Sequence, residues 1–240
     1  ENVGYVEVRF APLLSVHEKL DCRQVIAAVL RGLERGKKEF GVMYHVITCA
    51  MRHHSEEENK ALTVAREFLG KGVCAADLAG NESAFPMSEF QNLFAYAKEI
   101  GLPYTIHAGE CGSVQNILDS VAAGAKRVGH GIAMRGEKEA QELCKKEKIG
   151  VEMCPISNQQ TKAVSSIEEY PIREFLDAGL LVTLNTDNRS VSNTTISKEI
   201  EFVQEHFQIS DEEIVQMMKN AVEVSFSTEE EKEIMRNWYR

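Results

Sequence analysis

The stretch PYTIHAGECGSVQNILDSVAAGAKRVGHG, residues 103–131, holds a whole β-α-β repeat in one reading. An apolar run over 103–107 ends on His107, a helical pattern follows over 113–123, and a second short run over 127–130 ends on His130. Both runs are continuously apolar rather than alternating, which is the pattern of parallel strands covered on both faces. Parallel α/β enzymes keep their chemistry where strands give way to loops. His107, Glu110 and His130 stand at such junctions, and a third segment, LVTLNTD over 181–187, puts Asp187 at another.

Outward from this unit the alternation continues along the chain. Strands are expected over 4–10, 42–49, 73–78, 149–154 and 180–185, in addition to the two above. Helices are expected over 22–40, 56–69, 87–100, 137–148, 172–178 and 195–206, then two more at the C-terminus with Asp211 and Thr228 as N-caps. Repeated βα units allow an open doubly wound sheet or a closed (β/α)8 barrel. No GxGxxG follows the first strand and no GxxxxGK[ST] occurs, so the nucleotide-binding open sheet lacks its usual signature. Polar residues end five different strands (Arg9, Asp77, His107, His130, Asp187), and a barrel makes such residues converge at one mouth. The expected architecture is therefore α/β, a TIM-type (β/α)8 barrel with seven βα units present, the first strand missing, and extra C-terminal helices. On this reading residues 1–240 form a single, incomplete metal-dependent hydrolase barrel domain, with one further βα unit belonging before Glu1. A barrel open at that point exposes two strand edges, so an oligomer through the open edge is expected.

The rest of the composition sets bounds. The formal net charge is −10, which argues against nucleic acid as a partner. No apolar run approaches the roughly 20 residues of a membrane span, and the opening ENVGYVEVRF has no signal-peptide pattern. Six cysteines without a CxxC pair read as reduced thiols in a cytoplasmic protein. Cys49, Cys74 and Cys154 fall in strand-like runs and read as buried small hydrophobes, whereas Cys111 directly follows Glu110.

Residue types then suggest chemistry. His107 and Asp187 are donors of the kind a hydrolytic zinc takes. Glu110 follows His107 across Ala108 and Gly109, close enough to deliver a proton to a substrate nitrogen. His130, between Gly129 and Gly131, suits accepting a proton from water or stabilising hydroxide. In AADLAG, Asp77 and Gly80 mark another strand-to-loop junction where a backbone can meet a ligand. Arg9 and Glu7, in VEVRF, read better as members of a buried ion pair than as substrate contacts. His53 and His54 are neighbours on a strand end and would face opposite ways. Each of these residues alone could equally be a strand cap or a satisfied core group; their combination favours a site. No HxH pair occurs anywhere.

TIHAGE, GHG and NTD, in this order and spacing, together with VEVRFAP, CAMRHH and DLAGNE, resemble the adenosine deaminase family of the amidohydrolase superfamily over nearly the whole chain. The resemblance implies a (β/α)8 barrel with one catalytic zinc, for which His107 and Asp187 would be ligands. It implies that Glu110 protonates purine N1, that His130 positions or deprotonates the attacking water, and that the Gly80 backbone N–H meets N3. Where the family commonly has a second Asp, this chain has Asn188, whose amide can donate to N7 at any pH. The family's N-terminal HxHxDG segment, which supplies two further ligands, has no counterpart here. The implied reaction is zinc-dependent deamination of adenosine to inosine and ammonia in purine salvage, impaired in a chain without that segment. Adenine or another amino-purine is the alternative substrate, and a non-catalytic purine- or protein-binding remnant is the alternative of another class. The H-x-E…P-C-x-x-C signature of nucleic-acid base deaminases is absent.

Overall fold

A computed structural model describes residues 1–60 and 62–239. The seven expected strands are present: β1 Tyr5–Phe10, β2 Met43–Met51, β3 Val73–Ala79, β4 Thr105–Ala108, β5 Arg127–His130, β6 Gly150–Met153 and β7 Leu181–Leu184. Among the described residues twelve α-helices accompany them. Those before β5 are α1 Cys22–Phe40, α2 Glu56–Asn59, α3 Leu62–Glu67, α4 Gln91–Glu99 and α5 Val114–Ala123. Those between β5 and β7 are α6 Lys138–Lys146, α7 Pro155–Gln160 and α8 Ile172–Asp177. After β7 come α9 Arg189–Ser192, α10 Ile196–Phe207, α11 Asp211–Val224 and α12 Glu229–Arg236. The strands form two parallel sheets, β1-β2-β3 and β4-β5-β6-β7, and no described helix is long and apolar enough to cross a membrane. The chain divides into two compact units.

One unit spans residues 2–106 and 226–228. β1 pairs with β2 from Tyr5↔Met43 to Phe10↔Thr48, and β2 with β3 up to Met51↔Ala79. β3 is buried from Val73 to Leu78, as a strand covered on both faces should be. α1 begins at a capping box in which Asp21 accepts from the Gln24 N–H, and it ends at Gly41 in the left-handed conformation, φ +74°. Its buried face is Val25, Ile26 and Leu30. Each such side chain contributes about 1.5–3 kcal/mol when taken out of water. Arg9 is in an ion pair, as expected, and the structure gives its carboxylate as Asp77, 3.2 Å away on β3 and fully buried. Glu7 accepts from the Tyr5 hydroxyl at 2.8 Å and the Phe226 N–H at 2.6 Å. The helix expected over 56–69 is found as α2 and α3, with Ala61 outside the described residues. That over 87–100 starts as a 3-10 turn, Met87–Phe90, before α4.

The other unit holds Glu1 with residues 107–225 and 229–239. β5 pairs with β6 (Arg127↔Gly150) and β6 with β7 (Gly150↔Leu181). A buried ion pair joins the first two of these strands, Arg127 Nε to Glu152 Oε1 at 2.6 Å, and Arg127 Nη1 also donates to the Val224 carbonyl. α11 packs on β7, where Asn220 donates to the Val182 carbonyl at 2.9 Å. The N-cap of α11 is Ser210 rather than the expected Asp211. Ser210 has the extended cap backbone, and Glu213 three residues on completes a capping box with it, which moves Asp211 into the first turn. The short helices α7 and α9 were not expected, since neither is long enough to show a helical period.

Candidate active site

β4 carries His107 one residue from its end, half-buried, and Gly109 then turns the chain with φ +84°. A Cβ at Gly109 would stand 2.5 Å from Ile117 Cδ1 and 3.3 Å from Ala133 Cβ, so the turn lies flat on α5 and its neighbour. Two backbone hydrogen bonds tie this strand end to the next, Gly131 N–H to the Ala108 carbonyl at 3.1 Å and Ala133 N–H to the Gly109 carbonyl at 2.9 Å. β5 ends in two successive left-handed residues, His130 at φ +66° and Gly131 at φ +68°. Asp187 also has positive φ, +52°. Non-glycine residues adopt this region uncommonly, and such strain gathers at functional sites.

His130 is 2% exposed. Its ring lies 5.3 Å from that of His107, its Nε2 is 3.6 Å from Glu110 Oε2, and its Nδ1 is 2.9 Å from Asn158 Nδ2. Burial holds the His130 pKa below the ordinary histidine value. The Glu110 carboxylate works against this, His107 adds to it, and Asp187 and the Asn158 hydrogen bond again oppose it.

α7, which follows β6, gathers the strand ends. Ser157 Oγ donates to Asp187 Oδ2 at 2.7 Å; Asn158 Nδ2 and Thr161 Oγ1 donate to Glu110 Oε1 at 3.3 and 3.2 Å. The Tyr170 hydroxyl donates to Asn158 Oδ1 at 3.3 Å. Fully buried Glu199 accepts from the Ile156 N–H at 3.2 Å and the Thr194 hydroxyl at 2.9 Å, and burial raises its pKa above the ordinary carboxylate value. Asn188 is the N-cap of α9, its Oδ1 accepting from the Val191 N–H at 3.1 Å. An amide used this way keeps its N–H donors for another partner.

One unit thus brings together four of the expected residues, His107, Glu110, His130 and Asp187, with Asn188 next in the chain. Gly80, Asp77 and Arg9 belong to the other unit. There Gly80 follows β3 at φ +113°, and Asp77 Oδ2 takes the Arg9 guanidinium. The glycines beside His130 serve close packing of the strands themselves. A Cβ at Gly129 would stand 3.2 Å from His107 Cα, and one at Gly131 2.7 Å from Val151 Cγ1. Ser157, Asn158, Thr161 and Tyr170 were not foreseen from sequence. The signal for Ser157 and Asn158 was the run CPISN, polar residues directly after the sixth strand, in the same position as the three segments that were read; Thr161 and Tyr170 lie beyond it.

His107 and Asp187 fit a zinc ion by donor type, imidazole nitrogen and carboxylate oxygen. Among the described residues no cluster of three or more His, Cys, Asp and Glu has metal-holding geometry.

Comparison with known proteins places the chain. The sequence profile of the family described as Adenosine deaminase matches residues 1–238. The adenosine deaminase of Enterococcus faecalis is 42% identical over 236 residues, covering 98% of this chain and 70% of that protein. The solved Arabidopsis N6-mAMP deaminase superposes with a TM-score of 0.89 at 26% identity, over 99% of this chain and 73% of that one. A zinc-bound amidohydrolase from Burkholderia ambifaria gives 0.92 at 21% identity, over 99% and 67%. The fold is therefore the TIM-type barrel of these deaminases, here with seven βα units.

Proposed function

The chain belongs to the adenosine deaminase family, hydrolases that act on C–N bonds, and from that premise we propose that it converts adenosine to inosine and ammonia in purine salvage. The observation that carries the reading is the Glu110–His130 pair, a carboxyl and a buried imidazole 3.6 Å apart at two adjacent strand ends. Replacing the amino group of an aromatic ring by water needs two things, protonation of the ring nitrogen and an oriented nucleophile. Glu110 delivers the proton to N1, steadied by the donors Asn158 and Thr161 on one of its oxygens. His130, whose charged form burial disfavours, orients the attacking water. Gly80 meets N3 through its backbone N–H, and Asn188 donates to N7. His107 and Asp187 would hold zinc, which when bound supplies a strong nucleophile near neutral pH. The Burkholderia ambifaria amidohydrolase of the same fold holds zinc.

A second reading has another amino-purine as substrate. The likeness to the N6-mAMP deaminase, at 26% identity, favours keeping it in the test. The experiment is a comparison of kcat/KM for adenosine, adenine and N6-methyl-AMP with the purified protein and added zinc. Adenosine is expected to lead by at least about tenfold, a difference of about 1.4 kcal/mol in transition-state binding. A lead for adenine or the nucleotide would replace the substrate, and no turnover of any of them would favour the purine- or protein-binding alternative.

A further inference from the structure

Asn158 lies between the two residues assigned to proton movement and touches both. Its Nδ2 is 2.9 Å from His130 Nδ1 and 3.3 Å from Glu110 Oε1, while its Oδ1 accepts from the Tyr170 hydroxyl at 3.3 Å. Asn158 is fully buried and Tyr170 is 3% exposed. The amide can be placed only one way round. With Nδ2 toward Glu110, the carboxylate receives a donor and the carbonyl receives the tyrosine proton. The reverse orientation sets the amide oxygen against Glu110 Oε1, which already accepts from Thr161 Oγ1, so the carboxyl proton used at N1 is carried on Oε2 and none is left to bridge the two oxygens. A donor facing His130 Nδ1 requires that nitrogen to be the acceptor. In a neutral imidazole the proton then sits on Nε2, the nitrogen that faces Glu110.

We propose that Asn158 is the positioning residue of this site: gripping His130 through Nδ1 and Glu110 through Oε1, it fixes His130 as a hydrogen-bond donor at Nε2. This rests on the deaminase reading given above and narrows it. Of the two roles open to His130, orienting water and abstracting its proton, the fixed tautomer selects the first, because Nε2 already carries a proton. Tyr170 holds the amide from behind, so the order of dependence runs Tyr170, Asn158, then His130 with Glu110. The net proton inventory balances: Glu110 gives its proton to N1, the two protons of the attacking water go one to the departing ammonia and one back to the Glu110 carboxylate, and the imidazole keeps its own.

The test is nitrogen NMR of ligand-free protein labelled with 15N-histidine, above the His130 titration. The native protein is expected to show His130 Nδ1 as an unprotonated, pyridine-type nitrogen and Nε2 as a protonated, pyrrole-type one. Asn158→Asp, which presents only acceptors to Nδ1, is expected to reverse the two. Tyr170→Phe is expected to leave the native tautomer as the major form but admit the other. In turnover, Asn158→Ala is expected to lower kcat about 10–100-fold, the range typical of residues that orient a catalytic group, with KM changed less than about threefold. A native His130 protonated at Nδ1, or an Asn158→Asp variant with the native tautomer, overturns the proposal even if every variant is active. Should Asn158→Ala fail to fold, the native spectrum still decides. The spectra need no substrate, so an inactive native protein counts against the deaminase reading and leaves the tautomer to be judged separately.

Discussion

Replacing Gly131 by Ala tests how the strand-end geometry of the site is built. Gly131 sits at φ +68°, where a residue with a Cβ costs about 1–2 kcal/mol. Its new Cβ would also stand 2.7 Å from Val151 Cγ1 and 3.3 Å from Met134 Cε. Both neighbours are fully buried, Val151 on β6 and Met134 beneath the loop, so neither can swing into solvent. Overpacking of this kind costs about 1–3 kcal/mol. The sum is a destabilisation of about 2–5 kcal/mol. Gly136 provides the control, since its φ is +73° and a Cβ there would meet nothing within 4 Å, leaving only the conformational cost of about 1–2 kcal/mol. Urea unfolding of the two variants, read as the shift of the midpoint at constant slope, separates the two contributions. Gly131→Ala should be the less stable by about 1–3 kcal/mol. Equal stabilities would refute the argument that Gly131 is there for packing as well as for its turn. Because the Gly131 N–H also ties β5 to the Ala108 carbonyl, the variant should lose turnover at temperatures where it remains folded.

Two other outcomes follow from buried charges. Glu152→Leu should cost about 3–5 kcal/mol by leaving the Arg127 guanidinium buried without its carboxylate, whereas the double variant Arg127→Met/Glu152→Leu should cost clearly less; thermal unfolding of the pair checks this, and equal losses would contradict it. Glu199 has a folded pKa raised by burial, so the folded protein binds its proton more tightly than the unfolded chain does, and its contribution to stability is greatest below the ordinary carboxylate range and falls as pH rises through the raised value. Glu199→Gln should remove that fall, so its Tm relative to the native protein should rise with pH across this window; a constant difference would contradict the assignment.

The strands were legible because they are short continuous apolar runs between turn residues. β5 was found with its observed bounds and α1 likewise, since a 19-residue amphipathic helix with Asp21 before it and Gly41 after it carries both periodicity and caps. The strand-end positions of His107, Glu110, His130 and Asp187 followed from those runs. The run CPISN marks Asn158 only as a polar residue after the sixth strand; its role depends on Tyr170, twelve residues on and outside the helix, and on the ends of two strands that precede it, so no local pattern marks that role. Arg9 shows the same limit. Alternation along a strand says nothing about which residue of another strand a long side chain reaches, and Arg9 reaches past the adjoining β2 to Asp77 on β3, 68 positions away. The cap of α11 turned on a choice between two adjacent good capping residues, which Glu213 decides for Ser210.

The central claim, that Glu110 and His130 form the proton-handling pair of a purine deaminase, is tested most directly by the Glu110→Gln variant assayed on adenosine beside the native protein. The carboxamide keeps the size of the side chain and can still accept from Asn158 and Thr161, but it cannot release a proton to N1. The account predicts conversion to inosine by the native protein, a fall in kcat of about 10²–10⁴-fold in the variant, and retained binding of a purine riboside. A variant that turns over adenosine within a few-fold of the native rate would contradict it.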